Sequence, residues 1–177
     1  MTTAIEPIRR NGRLIVVAIC LLAVMPSVVC GAFLQTYEDE QIKNRAATII
    51  TQTVGPEIEV KGVKVWTRKP PRREAITEIK SLGDKAISPL SEYLRDKDPR
   101  IRNQAVEFLG LLESIKAIDP LKKVALTDAS PTSRQIALRW LSILPWDAVS
   151  AIIQQATTDP EVSVRNEARG LIRAHKK

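Results

Sequence analysis

The stretch Lys85-Ala86-Ile87-Ser88-Pro89-Leu90 recurs as KAIDPL at residues 116–121 and as DAVSAI at residues 147–152. Successive copies are 31 residues apart, and each apolar position keeps its class. A fixed period of about 20 to 50 residues is typical of stacked supersecondary units, because no single unit can bury its own apolar face. The repeat therefore predicts a solenoid with an extended binding surface.

A second pattern between these copies marks the starts of helices. Asp98-Pro99 precedes Arg102, Ser130-Pro131 precedes Arg134, and Asp159-Pro160 precedes Arg165. An Asp or Ser followed by proline is typical of a helix N-terminus, because the side chain accepts an orphan N–H and proline lacks the N–H that would go unpaired. Each unit is therefore predicted to be a helix, a short turn and a second helix.

The two patterns together resemble the HEAT-like repeat, in particular the short form also found in phycobilisome-lyase proteins. The resemblance covers residues 74–174 approximately. It implies an all-α, right-handed α-solenoid of about three to four helical hairpins, used mainly for protein–protein contact. A minority of such proteins are bilin lyases or DNA-repair enzymes, and the fold alone does not choose among these functions. The first unit, residues 73–95, lacks the Asp-Pro lead-in and is expected to act as an atypical capping repeat.

An apolar segment precedes the repeats. Residues 14–34 carry no charge, with arginines before them and the acidic run Glu38–Glu40 after them. Such a length can span a bilayer, and the flanking charges predict a cytoplasmic N-terminus with an extracytoplasmic repeat domain. The alternative is a signal peptide cleaved near Ala32, which would release a secreted or periplasmic protein.

The predicted organisation has three parts: a signal anchor or signal peptide over residues 1–34, a connector over 35–73, and the repeat domain over 74–177. In the connector, Tyr37–Thr53 has the apolar spacing of an amphipathic helix. Residues 55–66 alternate between apolar and polar side chains and predict a short strand pair or one bulged strand.

The connector also carries a basic cluster without an acid. The formal charge of the whole chain is +7, and part of the excess comes from this cluster, which suits anionic lipid headgroups or a nucleic-acid backbone. A solvated connector is the alternative interpretation, and the predicted export argues against nucleic acid as a partner. The cluster comprises Lys61, Lys64, Arg68, Lys69, Arg72 and Arg73.

The repeated arginines favour a structural role. Arg102, Arg134 and Arg165 occupy equivalent positions, and a guanidinium offers donors in a fixed fork. We expect them to form a ladder with Asp98, Asp128 and Asp159, or with carbonyl groups of the neighbouring unit.

No residue pattern points to catalysis, a metal site or a cofactor. The cysteines Cys20 and Cys30 both lie in the apolar segment, and the single histidine, His175, lies near the C-terminus. Nucleophilic catalysis therefore has no candidate residue. Exposed positions on the second helices are expected to contact a protein partner, together with Trp146 at a turn. These candidates are Glu92, Arg95, Lys122, Lys123, Gln154 and Trp146.

The sequence thus predicts a non-catalytic interaction or scaffold domain that binds a folded protein partner, with self-association through the last helix as a further possibility. The rival hypothesis is a HEAT-fold enzyme, similar to a bilin lyase or a DNA glycosylase, that uses the basic surface.

Overall fold

The computed structural model describes residues 27–54, 57–60, 63–66 and 73–176. The chain divides into two compact units, residues 1–40 and 41–177. Short 3₁₀ turns at Gly83–Ala86, Ile115–Ala117 and Ala156–Thr158 join or extend the helices. The elements are α1 (Ser27–Thr53), β1 (Glu57–Val60), β2 (Val63–Trp66), α2 (Arg73–Leu82), α3 (Ile87–Tyr93), α4 (Pro99–Leu111), α5 (Ile118–Thr127), α6 (Pro131–Leu141), α7 (Trp146–Gln155) and α8 (Val162–His175).

The repeat region is a series of helical hairpins, as predicted. The pairs α2–α3, α4–α5 and α6–α7 each consist of a first and a second helix, and α8 has the sequence pattern of another first helix. Each first helix packs against the first helix of the next unit, and α5 packs against α7. The right-handed sense of the solenoid stays a prediction.

Two of the three predicted helix starts are confirmed. The Asp98 side chain accepts the N–H of Arg100 and the Ser130 hydroxyl accepts that of Ser133, with proline at the first helical position in both cases. The third predicted start is wrong, because α8 begins at Val162 and not at Pro160. The N-cap residue of α8 is Glu161, four residues before Arg165, as Asp98 and Ser130 lie four residues before Arg102 and Arg134. Asp159 instead occupies the position of Asp128, two residues before the cap, and its carboxylate accepts the N–H of Glu161.

One continuous apolar core runs through the second unit. Its largest fully buried side chains include Leu90, Phe108, Leu121 and Ile153. Small alanines at repeat-equivalent positions, such as Ala105 and Ala137, are also fully buried, which lets neighbouring helices approach closely. The period read from the sequence is thus the period of the core.

Within the second unit, the end of α1 packs on this core. Ala46, Ile49 and Ile50 join the core cluster, as the amphipathic spacing of this segment predicts. Two ion pairs fix the helix to the first hairpin: Arg45 Nε lies 2.8 Å from Glu78 Oε1, and Lys43 Nζ lies 3.0 Å from Glu92 Oε2. The helix itself begins at Ser27, ten residues before the predicted start at Tyr37.

The predicted localisation is wrong for the part of the chain that the structure describes. None of its helices combines the length and the apolar composition needed to cross a bilayer. The helix α1, in which the predicted span would end, is 27 residues long but carries the acidic run Glu38–Glu40 and the cations Lys43 and Arg45. Residues 14–26 of the predicted segment lie outside the described residues. The membrane contact assigned to residues 14–34, and the alternative of export after cleavage near Ala32, therefore have no support.

The extended part of the connector forms a hairpin. Strands β1 and β2 pair antiparallel, with Glu57 opposite Trp66 and Val60 opposite Val63. Of the basic cluster, Lys64 lies in β2 and Arg73 begins α2. The other four members of the cluster lie outside the described residues: Lys61, Arg68, Lys69 and Arg72.

Candidate protein-binding surface

Arginine–aspartate pairs connect successive repeats along one side of the second unit. Arg102 donates from Nε and Nη2 to the two carboxylate oxygens of Asp128, over 2.8 and 3.0 Å. Arg134 makes the same bidentate contact with Asp159, over 2.8 Å for each bond. In both pairs the arginine of one unit holds the aspartate that precedes the next first helix. Each pair therefore fixes the spacing between two repeats.

The third guanidinium nitrogen of each arginine ties down its own loop. Nη1 of Arg102 donates to Asp96 O over 2.9 Å, Nη1 of Arg134 to Asp128 O over 2.7 Å, and Nη1 of Arg165 to Asp159 O over 2.7 Å. The bonded carbonyl is always six residues before the arginine. In Arg102 and Arg134, this local bond leaves the Nε–Nη2 edge to bind the aspartate of the following repeat.

The residue equivalent to Asp128 and Asp159 in the preceding repeat is Asp96, and not Asp98 as the sequence predicts. The carboxylate of Asp98 caps α4 and binds the Arg100 side chain, with Nε of Arg100 2.9 Å from each oxygen. The carboxylate of Asp96 instead accepts the backbone N–H of Asp98, two residues later. Asp128 and Asp159 make the same bond with the N–H groups of Ser130 and Glu161. The aspartate six residues before each arginine was the signal that could have identified this position.

Burial and hydrogen bonding act in opposite directions on the ladder aspartates. Burial raises the pKa of Asp159, but the hydrogen bonds from Arg134 and from the Glu161 N–H outweigh it and leave the pKa below its usual range. The pKa of Asp128 is lowered in the same way, with Arg102 as the main partner that opposes burial. Both groups are therefore stabilised as carboxylates.

A groove of about 620 Å³ lies between α3 and α5, beside the first rung of the ladder. The helix α3 has 7 residues and α5 has 10, and the groove lies beside the end of α3 and along α5. The residues that line the groove are Ser91, Leu94, Arg95, Asp96, Arg102, Asp119, Pro120, Lys123, Val124, Thr127, Asp128 and Ala129.

The groove combines an apolar floor with charged walls. Leu94, Pro120 and Val124 supply apolar surface, Arg95 and Lys123 are exposed cations, and Asp119 adds an exposed carboxylate. The Arg102 guanidinium at the end of the groove is already bound to Asp128. The groove thus offers apolar surface together with charged groups of both signs.

The other predicted partner-binding residues lie outside this groove. Lys122 and Gln154 are exposed on α5 and α7, and Glu92 is exposed on α3 but pairs with Lys43. Trp146 begins α7 and stacks on His175, with ring centroids 4.0 Å apart and an angle of 13° between the rings. The half-buried Trp146 is therefore partly covered by the end of α8.

The described residues contain no group of three or more His, Cys, Asp or Glu side chains that could hold a metal ion. They also contain no buried side-chain nitrogen or oxygen without a hydrogen-bond partner.

The fold and the ladder define an α-helical repeat protein, and the comparison with protein families identifies the repeat. Residues 68–142 match the family model of HEAT repeats. The resemblance inferred from the sequence is therefore confirmed for this stretch. No curated protein matches the chain.

Solved structures similar to the chain include two that align with more than half of it. One is the complex of CpcE and CpcF of phycocyanin lyase from Nostoc sp. PCC7120, with 25% identity and a TM-score of 0.46 over 56% of this chain and 68% of that one. The other is an engineered protein, with 17% identity and a TM-score of 0.40 over 85% of this chain and 57% of that one.

Proposed function

We propose that the protein is a non-catalytic scaffold that binds a segment of a protein partner in the groove between α3 and α5. The observation that carries the proposal is the groove itself, with the apolar floor of Leu94 and Val124 beside the cations Arg95 and Lys123. HEAT repeats supply a rigid frame for such a surface, because each unit is fixed to the next.

Charge and rigidity together support an acidic segment as the occupant. Arg95 and Lys123 are exposed, and neither forms an ion pair within the described part of the chain. A carboxylate of the partner would gain a charge-assisted hydrogen bond there, while an apolar neighbour would cover the floor. The Arg102–Asp128 pair, with side chains 13% and 6% exposed, holds the end of the groove in place.

The test uses a photo-crosslinking amino acid placed in the full-length protein in cells. Positions 95 and 123 lie in the groove, and position 132, occupied by the exposed Thr132 of α6, serves as the control. We expect one partner to crosslink from the groove positions and not from position 132. Mass spectrometry then identifies that partner.

Affinity for the purified partner gives the quantitative test. The charge reversals R95E and K123E should each weaken binding at least tenfold without lowering the melting temperature. The matched control is K122E, which makes the same charge change one residue away, outside the groove. Equal crosslinking from position 132, or equal affinity of K123E and K122E, would show that the groove is not the binding site.

A further inference from the structure

Arg165 repeats the local geometry of the two ladder arginines before it. Its Nη1 donates to Asp159 O over 2.7 Å and to Pro160 O over 2.8 Å, as Nη1 of Arg102 does to Asp96 O and Lys97 O. In Arg102 and Arg134 the Nε–Nη2 edge then binds an aspartate of the following repeat. No residue in the described part of the chain binds that edge of Arg165.

The same face of α8 has changed from apolar to cationic. One turn after the ladder arginine, α4 has Val106 and α6 has Leu138, both fully buried. The equivalent residue of α8 is the exposed Arg169, and Arg173 follows after another turn. Three arginines spaced four residues apart form one stripe along a helix. At a rise of 1.5 Å per residue, neighbouring arginines are about 6 Å apart along the helix axis.

From this geometry we propose that the arginine stripe of α8, formed by Arg165, Arg169 and Arg173, is a second docking surface, for an acidic segment of a partner protein. An aspartate of that segment binds Arg165 as Asp128 binds Arg102 and Asp159 binds Arg134. Further carboxylates meet Arg169 and Arg173. The surface is separate from the groove, since none of the three arginines lines it.

Charge distinguishes this occupant from the alternatives. A standard apolar repeat would bury Arg169 without a partner charge, which is costly. A second copy that brought the same stripe would place arginines against arginines. The one glutamate in the middle of α8, Glu167, is already bound to Arg139 over 2.8 and 2.9 Å. Carboxylates are favoured over phosphates, because both completed rungs of the ladder use aspartate.

The experiment measures the binding of a defined acidic peptide to the full-length protein. The probe is a fluorescein-labelled, alanine-based helix with aspartates at three positions four residues apart, and the matched peptide carries asparagine there. Fluorescence anisotropy gives the affinity at low and physiological salt. We expect the aspartate peptide to bind at least tenfold more tightly than the asparagine peptide, and the difference to shrink with added salt.

Variants then assign the binding to the stripe. The double variant R169Q/R173Q should weaken binding at least fivefold, and R165K should weaken it as well, because lysine keeps the charge but lacks the fork. The exposed K122Q on α5 is the control and should bind as the unaltered protein does. Because Arg169 and Arg173 form no ion pair within the described residues, the double variant should fold normally, which circular dichroism checks.

Four results would overturn the proposal. The first is equal binding of the two peptides, or no binding of either. The second is unchanged binding by both R169Q/R173Q and R165K. The third is tighter binding of duplex DNA with the same arginine dependence, which would make the stripe a nucleic-acid surface. Concentration-dependent dimerisation that R169Q/R173Q abolishes would likewise replace the acidic partner by a second copy of the chain. If the groove variants R95E and K123E do not weaken binding of the groove's partner, the peptide-binding test of the arginine stripe still holds.

Discussion

Arg134 and Asp159 form a bidentate ion pair across 25 residues of sequence, with both N–O distances at 2.8 Å. Their side chains are only 9% and 5% exposed. The pair therefore joins two repeats inside the protein, where neither charge has enough water around it to remain unpaired. Stability of the repeat array should depend on this contact more than on the exposed pairs along the helices.

Removing one partner of this pair should destabilise the fold strongly. We expect R134A to lower the free energy of unfolding by about 3 kcal/mol, because Asp159 stays buried without its counter-charge. The control is R139A, which breaks the Arg139–Glu167 pair, in which the arginine side chain is 59% exposed. Such a surface pair contributes less than about 1 kcal/mol. Urea unfolding followed by circular dichroism measures both, and equal losses would contradict the structural role of Arg134.

Acid should weaken the protein through the ladder carboxylates. Burial raises the pKa values of Asp128 and Asp159, but hydrogen bonds from Arg102 and Arg134 overcome this and lower both. A lowered pKa in the folded state adds stability above the unfolded value, about 3.9. That stability is lost as the pH falls through the folded pKa. We expect the free energy of unfolding to fall steadily with pH below about 4, since these carboxylates must then accept protons.

The variant D159N tests this assignment, because asparagine cannot titrate. Its unfolding free energy should be lower at neutral pH and should change less between pH 5 and pH 3 than that of the unaltered protein. D119N, which alters an exposed carboxylate on α5, should give a curve parallel to that of the unaltered protein. A D159N curve that is parallel as well would assign the acid sensitivity to other groups.

The sequence predicts the repeats well because their signals are local. The 31-residue period, the Asp98 and Ser130 caps and the buried alanines each follow from a pattern within one unit. The predicted start of α8 is wrong because Asp159 is followed by proline and so resembles a helix cap, but it is equivalent to Asp128, which lies two residues before the cap and binds the arginine of the preceding repeat. A pattern within one unit does not show which of its residues contact the neighbouring units.

The candidate surface is less predictable than the fold. Arg95 and Lys123 are exposed, but that both line one groove depends on how α3 and α5 pack, which no spacing in the sequence indicates. Asp96 escapes the sequence pattern because the Asp-Pro pair at 98–99 gives the stronger capping signal. The stacking of Trp146 on His175 joins two repeats, and again no spacing in the sequence indicates it.

Gly110 should not tolerate even one added methyl group. A Cβ on Gly110 would overlap the indole ring of Trp140, which packs directly on the backbone of α4. We expect G110A to destabilise the protein by about 1–3 kcal/mol, as overpacked cores commonly do. The control is G170A on α8, where a Cβ would meet nothing within 4 Å. Because alanine favours helices, G170A should be neutral or slightly stabilising, and equal effects in thermal unfolding would refute the close contact with Trp140.

The stacked rings of Trp146 and His175 should couple the start of α7 to the end of α8. Their centroids are 4.0 Å apart, and such aromatic pairs contribute about 0.5–1.5 kcal/mol beyond the area that they bury. We expect a coupling of about 0.5 kcal/mol, because His175 is exposed in the last turn of its helix, where ends fray. A double-mutant cycle with W146L and H175A, measured by urea unfolding, gives this value. The same cycle with W146L and K80A, on the distant α2, should be additive, and additivity in both cycles would mean that the stack does not stabilise the fold.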